Sequence, residues 1–344
     1  MKLSELLQGL EILELHTDCN QKITGICYDS RAVKPGNLFV AIAGFAADGH
    51  KYIPMALEKG AAAVLCQEPA DCAGYIRVAD TRLGLAMVSA NWFGHPADRM
   101  TMIGFTGTNG KTTSTYLLKH ILEDTLGAKV GLVGTIQNMI GDEVLHTERT
   151  TPESYELQAL FRRMLDAGCT HVIMEVSSHA LSLHRVGGVR FHTGVFTNLT
   201  QDHLDFHKTM EEYRKAKSML FSMSDYGVIN RDDPAAEAMI REAKCPVLTY
   251  SAKGEAGLTA ANQQLHADRV KFEAAYQGRL PAMAPLANPY VPFQLENPPK
   301  YEAKKALTRG TLFPGLDLPF LGMVNKENLP ATTLAELQAL DFAI

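Results

Sequence analysis

GFTGTNGKTT, residues 104–113, decides the fold. The apolar run TMIGFTG leads into it from Thr101. TTSTYLLKHILEDTLG leaves it with helical spacing and a glycine stop at Gly127. A strand, a glycine-rich turn and a helix in direct succession let consecutive backbone N–H groups face an anion at a helix N-terminus. Gly107, Thr108, Asn109, Gly110, Lys111, Thr112 and Thr113 are therefore the candidate nucleotide-binding residues. Lys111 can reach the β- and γ-phosphates, and the Thr112 hydroxyl can ligate Mg²⁺. The strict G-x-x-x-x-G-K-[ST] pattern is not met: Phe105 stands five positions before Gly110, and the glycine falls at Gly107 instead. The plainer alternative is a glycine-rich helix start with a chance lysine; the flanking strand and helix favour the phosphate loop.

Downstream the same rhythm continues. KVGLVGTI, HVIMEVS, RFHTGVFTNL, YGVIN and PVLTY read as strands; PESYELQALFRRMLDAG, MEEYRKAKSMLFS and DPAAEAMIREAK read as helices. Strands alternating with helices imply βαβ units and a mostly parallel sheet. Upstream, TGICYDSR, NLFVAIAG and AAAVLCQ read as strands and YIPMALEKG as a helix. MKLSELLQGLEILEL reads as an amphipathic helix rather than a signal peptide, and HPADRM (95–100) as a linker. After Ser251 the alternation stops. A weak helix is expected around Asn262–Ala275, more than half of the prolines crowd between Pro281 and Pro330, and TTLAELQALDFAI closes the chain as an amphipathic stretch. The expected class is α/β. A small α/β N-terminal domain spans 1–98. A P-loop, mostly parallel sheet flanked by helices spans 99–250, incomplete and short of strands. An irregular proline-rich tail spans 251–344.

The 344 residues carry a formal charge of −5 with 46% hydrophobic and 21% charged residues, which excludes a disordered chain and a strongly basic nucleic-acid binder. No run of 18 apolar residues is present to span a membrane. Six cysteines without C-x-x-C spacing point to a reducing cytoplasm and free, mostly buried thiols.

Three further residues invite a chemical reading. Glu175 ends the apolar strand HVIME, where ligands gather in open α/β sheets. It reads either as a carboxylate for a phosphate-bridging cation or as a satisfied strand-end acid. NLTQDHLDFH (198–207) gathers Asp202, His203, Asp205 and His207. His203 reads equally as a metal ligand or as part of a solvated turn. Lys217 lies near the apolar face of its helix, where a lysine ordinarily snorkels.

Together these residues resemble the Mur ligases of peptidoglycan synthesis, in particular the branch that adds the third amino acid to UDP-N-acetylmuramoyl-L-alanyl-D-glutamate. The resemblance covers residues 1–250 through ITGICYDSRAVKPGNLFVAIAGFAADGHKYI, GFTGTNGKTTS, RTTPES, MEVSSHALSLHRV, VFTNLTQDHLDFHKTMEEYRKAK and VINRDDPA. It implies that Ser30 helps hold the UDP moiety, and that Thr150, Thr151, Ser177 and Arg185 contact the muramoyl-dipeptide. It also implies that Lys111 and Thr112 serve ATP and its magnesium, that Glu175 and His203 ligate Mg²⁺, and that Lys217 is carbamylated into a second metal ligand. Lys111, Lys217 and His203 become the implied catalytic set. The implied chemistry is an acyl phosphate: the substrate carboxylate attacks the γ-phosphate of ATP, and the amine of an incoming amino acid then displaces phosphate. The implied protein is a cytoplasmic monomer that binds neither nucleic acid nor membrane.

Past residue 250 the likeness fails. No DNPR-type specificity motif occurs in residues 251–344, so the choice between diaminopimelate and lysine is not written there. PLANPYVPFQLENPPKYEAKKALTRGTLFPGLDLPFLG (285–322) resembles small spore-coat-associated proteins instead.

Overall fold

The computed structural model describes residues 1–44, 47–72, 74–265 and 270–276. The closing stretch TTLAELQALDFAI and the proline-rich segment lie outside the described residues.

The N-terminal unit comprises α1 (Leu3–Leu6), β1 (Glu14–His16), β2 (Gly25–Cys27), β3 (Asn37–Val40), α2 (Ile53–Glu58), β4 (Ala63–Cys66), β5 (Tyr75–Arg77) and α3 (Thr81–Phe93). Its sheet runs in the order β1-β5-β4-β3-β2, parallel except for β1 against β5. The expected N-terminal amphipathic helix is corrected here. It ends after one turn, Gly9 takes φ +74°, and Glu14–His16 pairs with β5 as an edge strand.

The central unit begins with β6 (Thr101–Thr106) and α4 (Lys111–Leu126), which stops at Gly127 in the left-handed region. It continues through β7 (Val130–Val133), β8 (Asn138–Ile140), β9 (Glu143–Leu145), α5 (Ser154–Asp166), β10 (His171–Glu175), α6 (Ser178–Ser182), β11 (Phe191–Phe196), α7 (Leu204–His207) and α8 (Met210–Ser222). It ends with β12 (Ser224–Asn230), α9 (Ala236–Glu242), β13 (Val247–Ser251), β14 (Leu258–Leu265) and β15 (Val270–Tyr276). Among the described residues these strands form one ten-stranded sheet, β15-β14-β13-β12-β11-β6-β10-β7-β8-β9. The neighbours from β14 to β7 are parallel; β15 and β8 are antiparallel to theirs.

Two expectations are overturned. The sheet is not short of strands, and the described parts of Asn262–Ala275, residues 262–265 and 270–275, are no helix but lie in the antiparallel strands β14 and β15. In β15, Val270, Phe272 and Ala274 are more covered than Lys271, Glu273 and Ala275, the period-two pattern of a strand. The thiols also differ from expectation. All six are free, but only Cys66 and Cys169 are buried.

The core lies between helices and the central sheet. On α5, Leu157, Leu160, Phe161 and Met164 recur at helical spacing and bury against Met102, Val172 and Met174. Burying each such side chain contributes about 1.5–3 kcal/mol. The linker Pro96–Arg99 is a 3-10 turn with Ala97 in that same core. The two units touch through α3 and α5. Phe93 and Tyr155 lie 5.3 Å apart, Tyr28 Oη donates to Glu156 Oε1 at 2.8 Å, and His184 Nε2 is 3.5 Å from Asp80 Oδ2.

Candidate functional site

β6 has β10 on one side and β11 on the other, and the chain leaves β6 to cross to β7 beyond β10. The carboxyl ends of β6, β10 and β11 therefore meet at a point where the strand order switches, the place where open α/β sheets bind ligands. Gly107, Glu175 and Asn198 stand at or just beyond those three ends.

The loop turns through Gly107 at φ +147° and Gly110 at φ +84°. A Cβ on Gly107 would sit 2.0 Å from Thr197 Oγ1, so no other residue fits. The N–H groups of the first helical residues, Lys111, Thr112 and Thr113, have no partner within α4. Lys111 Nζ folds back to donate to the carbonyls of Gly107 (2.8 Å) and Thr108 (3.0 Å). Burial lowers its pKa, while Glu175 and Asp202 act to raise it.

Glu175 is buried at the end of β10, with its carboxylate fully engaged. Thr112 Oγ1 lies 3.0 Å from both oxygens, Thr135 N donates to Oε1 at 2.9 Å, and Thr135 Oγ1 is 3.1 Å from Oε2. Gly134 leaves room for it, since a Cβ there would come within 2.6 Å of Glu175 Oε1. A threonine hydroxyl beside a carboxylate is the hard-oxygen donor pair that Mg²⁺ takes, so these residues fit the ion. Thr135 escaped the sequence reading.

Lys217 is buried on α8. It donates to Gly107 O at 2.9 Å and lies 4.4 Å from the centre of the Tyr213 ring. Burial first, and then the Lys111 charge, lower its pKa to about 7. It does not snorkel.

His203 stands apart from Glu175's hydroxyl partners. It is half exposed, adopts φ +52°, and packs edge-on against His179 at 4.9 Å. Among the described residues no three His, Cys, Asp or Glu side chains converge as a metal site. His207 is not a solvated turn residue. It is buried with Nε2 2.8 Å from Ser178 Oγ, and burial pushes it down to about 4.

The residues implied for the muramoyl-dipeptide gather near the domain junction. Arg185 Nη1 donates to Thr151 O at 3.3 Å, and its Nε lies 3.3 Å from Glu153 Oε2. Thr150 Oγ1 lies 3.0 Å from Thr135 Oγ1. The hydroxyls of Thr151 and Ser177 are committed to main chain: Thr151 donates to Glu175 O at 2.8 Å and Ser177 accepts from Ala180 N at 3.1 Å. Beside them a cavity of about 610 Å³ opens between the two units, lined by Tyr28, Arg82, Arg149, Glu153 and Glu156 among others. Ser30, buried just past β2, follows Tyr28 and Asp29 in the loop.

The Mur ligase middle domain matches residues 105–288, and the Mur ligase family catalytic domain matches residues 22–100. The chain belongs to the Mur ligase family. The UDP-N-acetylmuramoyl-L-alanyl-D-glutamate–2,6-diaminopimelate ligase of Clostridium tetani is 45% identical over 81% of this chain and 58% of its own length. That of Caldanaerobacter subterraneus is 48% identical over the same shares. A solved structure of a ligase with that name superimposes with a TM-score of 0.70 at 28% identity, covering 80% of this chain and 58% of the other. A MurF from Acinetobacter baumannii shares the fold at TM-score 0.56 and 18% identity, over 98% of this chain and 67% of the other. This Mur ligase chain thus spans about 58% of the length of the curated relatives it matches. Residues 285–320 match a different family, the spore coat associated protein JA. The middle-domain match, like the sheet, runs well past residue 250.

Proposed function

We propose that this Mur ligase chain is built to activate the carboxylate of UDP-N-acetylmuramoyl-L-alanyl-D-glutamate with ATP and join it to diaminopimelate or lysine. The observation that carries the reading is the contact of Thr112 with Glu175 at the mouth of a phosphate loop, next to an arginine-lined cavity between the two units. Residues 1–98 form the UDP-substrate domain, with Ser30 at the uridine end. The unit from 99 onward, with its sheet continuing to Tyr276, forms the ATP domain.

The loop Gly107–Thr113 shapes the triphosphate site, whose anion is taken by Lys111 and the N–H groups opening α4, and Thr112 with Glu175 would hold Mg²⁺. The ion supplies neutralisation between crowded phosphate oxygens when bound. Arg185 orients the substrate carboxylate through its planar fork, with Thr150, Thr151 and Ser177 shaping the wall. Lys111 places positive charge where the γ-phosphate meets the attacking carboxylate, and Lys217, as a carbamate, would offer an oxygen ligand to a second metal ion. A lysine with its pKa near neutrality is a free amine for part of the population, the form that carbamylation at Lys217 requires. His203 lies on the segment facing that lysine pair and would complete the metal set. The protein acts as a cytoplasmic monomer, without nucleic acid or membrane.

Residues 285–320 match another family, the spore coat associated protein JA, which favours a second reading. In it, the polypeptide keeps its nucleotide and UDP-sugar pockets but turns over poorly. ADP release with the UDP-muramoyl-dipeptide, with and without each amino acid, tests both. Robust amino-acid-dependent release supports the ligase and overturns the binding reading; binding of both ligands without such release does the reverse.

A further inference from the structure

The phosphate loop is held from behind by the segment that follows β11. Thr108 N donates to Asn198 O at 2.8 Å, and Asn109 N donates to Asn198 Oδ1 at 2.9 Å. The amide of Asn198 closes the bracket by donating from Nδ2 to Asn109 O at 3.0 Å, and Thr197 Oγ1 donates to that same carbonyl at 2.7 Å. Thr200 N donates to Thr108 Oγ1 at 3.0 Å, and Asn109 Nδ2 donates to Thr200 Oγ1 at 3.3 Å. One side chain, Asn198, thus engages both the N–H and the C=O of Asn109, while its own carbonyl takes the preceding N–H.

We propose that Asn198 is a positioning residue for nucleotide binding: its bracket on Thr108 and Asn109 sets the loop in the shape that aims the α4 N-terminus at the phosphates. The inference rests on the ATP reading above and deepens it. Two N–H groups that an ordinary phosphate loop can offer to an anion are spent on Asn198. Anion capture therefore falls to the N–H groups opening α4 and to Lys111. The bracket also explains where the loop's glycine falls. The close approach to β11 happens at position 107, where a Cβ would strike Thr197 Oγ1. Phe105, at the position the strict pattern reserves for glycine, is a buried strand residue. The bracket further ties the loop to the run Asp202–His207, because Asn198 and Thr200 lie on the same connection.

The test is calorimetry on the full chain with Mg·ATP and, separately, with UDP-muramoyl-dipeptide. Asn198→Ala removes both side-chain bonds and should weaken ATP about tenfold or more, the ~1.4 kcal/mol per tenfold that one or two lost hydrogen bonds supply. UDP-substrate affinity should stay within about twofold, a split that general loosening of the fold would not give. Thr197→Val leaves Asn198 in place and removes the Thr197 bond to Asn109 O, together with a longer one of 3.4 Å to Thr106 O. It serves as the deciding variant if Asn198→Ala fails to melt cooperatively, and should weaken ATP by a smaller factor in the same direction. ATP affinity unchanged in the folded variant overturns the proposal, as does equal loss of both ligands. An unsubstituted chain that binds no ATP overturns the nucleotide reading itself, and the bracket's role with it.

Discussion

Lys111 and Lys217 donate to one and the same oxygen, the Gly107 carbonyl, at 2.8 and 2.9 Å. Two ammonium groups from different helices share an acceptor inside the protein, with Asp202 the opposing charge that acts on both. The arrangement suits a site that receives an anion, since each cation is held in place but incompletely neutralised.

Lys217 makes stability depend on pH. Its pKa falls from 10.5 to about 7 in the folded chain. Below about pH 7 the native state carries a buried charge that the unfolded chain keeps in water, so folding bears the full penalty. Between about pH 7 and 10.5 the unfolded chain retains a proton that the native state releases, and stability rises with pH across that window. Lys217→Met should flatten this rise and lift the melting midpoint at pH 7. Thermal melts at several pH values would show it, and an unchanged slope would count against burial as the cause.

Lys111→Ala should abolish ATP binding while leaving UDP-substrate binding on residues 1–98 largely intact. Calorimetry with each ligand separates the two sites, and parallel loss of both would contradict them.

Arg185→Lys keeps the charge but loses the planar fork. It breaks the geometry with Glu153 and Thr151 O and should weaken the UDP-muramoyl-dipeptide about tenfold. ATP affinity, measured in the same cell, should not move.

Gly107→Ala places a methyl 2.0 Å from Thr197 Oγ1 at φ +147°. A cost of about 1–3 kcal/mol is expected from the strained backbone alone. Urea unfolding would measure it, and a neutral result would mean that the β11 connection yields.

Much of this was legible in sequence, because the phosphate loop announces its own context: an apolar strand, two glycines, a lysine and a helix with a glycine stop. Glu175 stood out as an acid ending an apolar strand. Thr135 and Asn198 did not, since their roles arise from backbones that approach only after folding. Asn198 opens the stretch NLTQDHLDFH, whose histidines and aspartates drew attention away from it. The Asn262–Ala275 helix was read from alanine and glutamine content. Antiparallel pairing of β14 with β15 overrode that weak propensity, and the alternation of Val270, Phe272 and Ala274 was the stronger signal. Lys217 illustrates the reverse: spacing suggests a lysine reaching for solvent, whereas packing encloses it.

The β14–β15 hairpin decides where the polypeptide departs from the sheet. β14 begins level with the carboxyl ends of its parallel neighbours, Leu258 opposite Tyr250 and Tyr250 opposite Asn230, and runs on past them before β15 turns back to set Tyr276 opposite Leu258. Tyr276 therefore comes back to the level of Asn230, beside the strand ends that carry Gly107, and is separated from β6 by five strand steps across the sheet, roughly 24 Å at ~4.8 Å each. Tyr276 thus hands the chain on at the same rim as the triphosphate site, displaced sideways along it. The way from Tyr276 to Lys111 runs across the ends of β14, β13, β12 and β11 and not along the length of a strand.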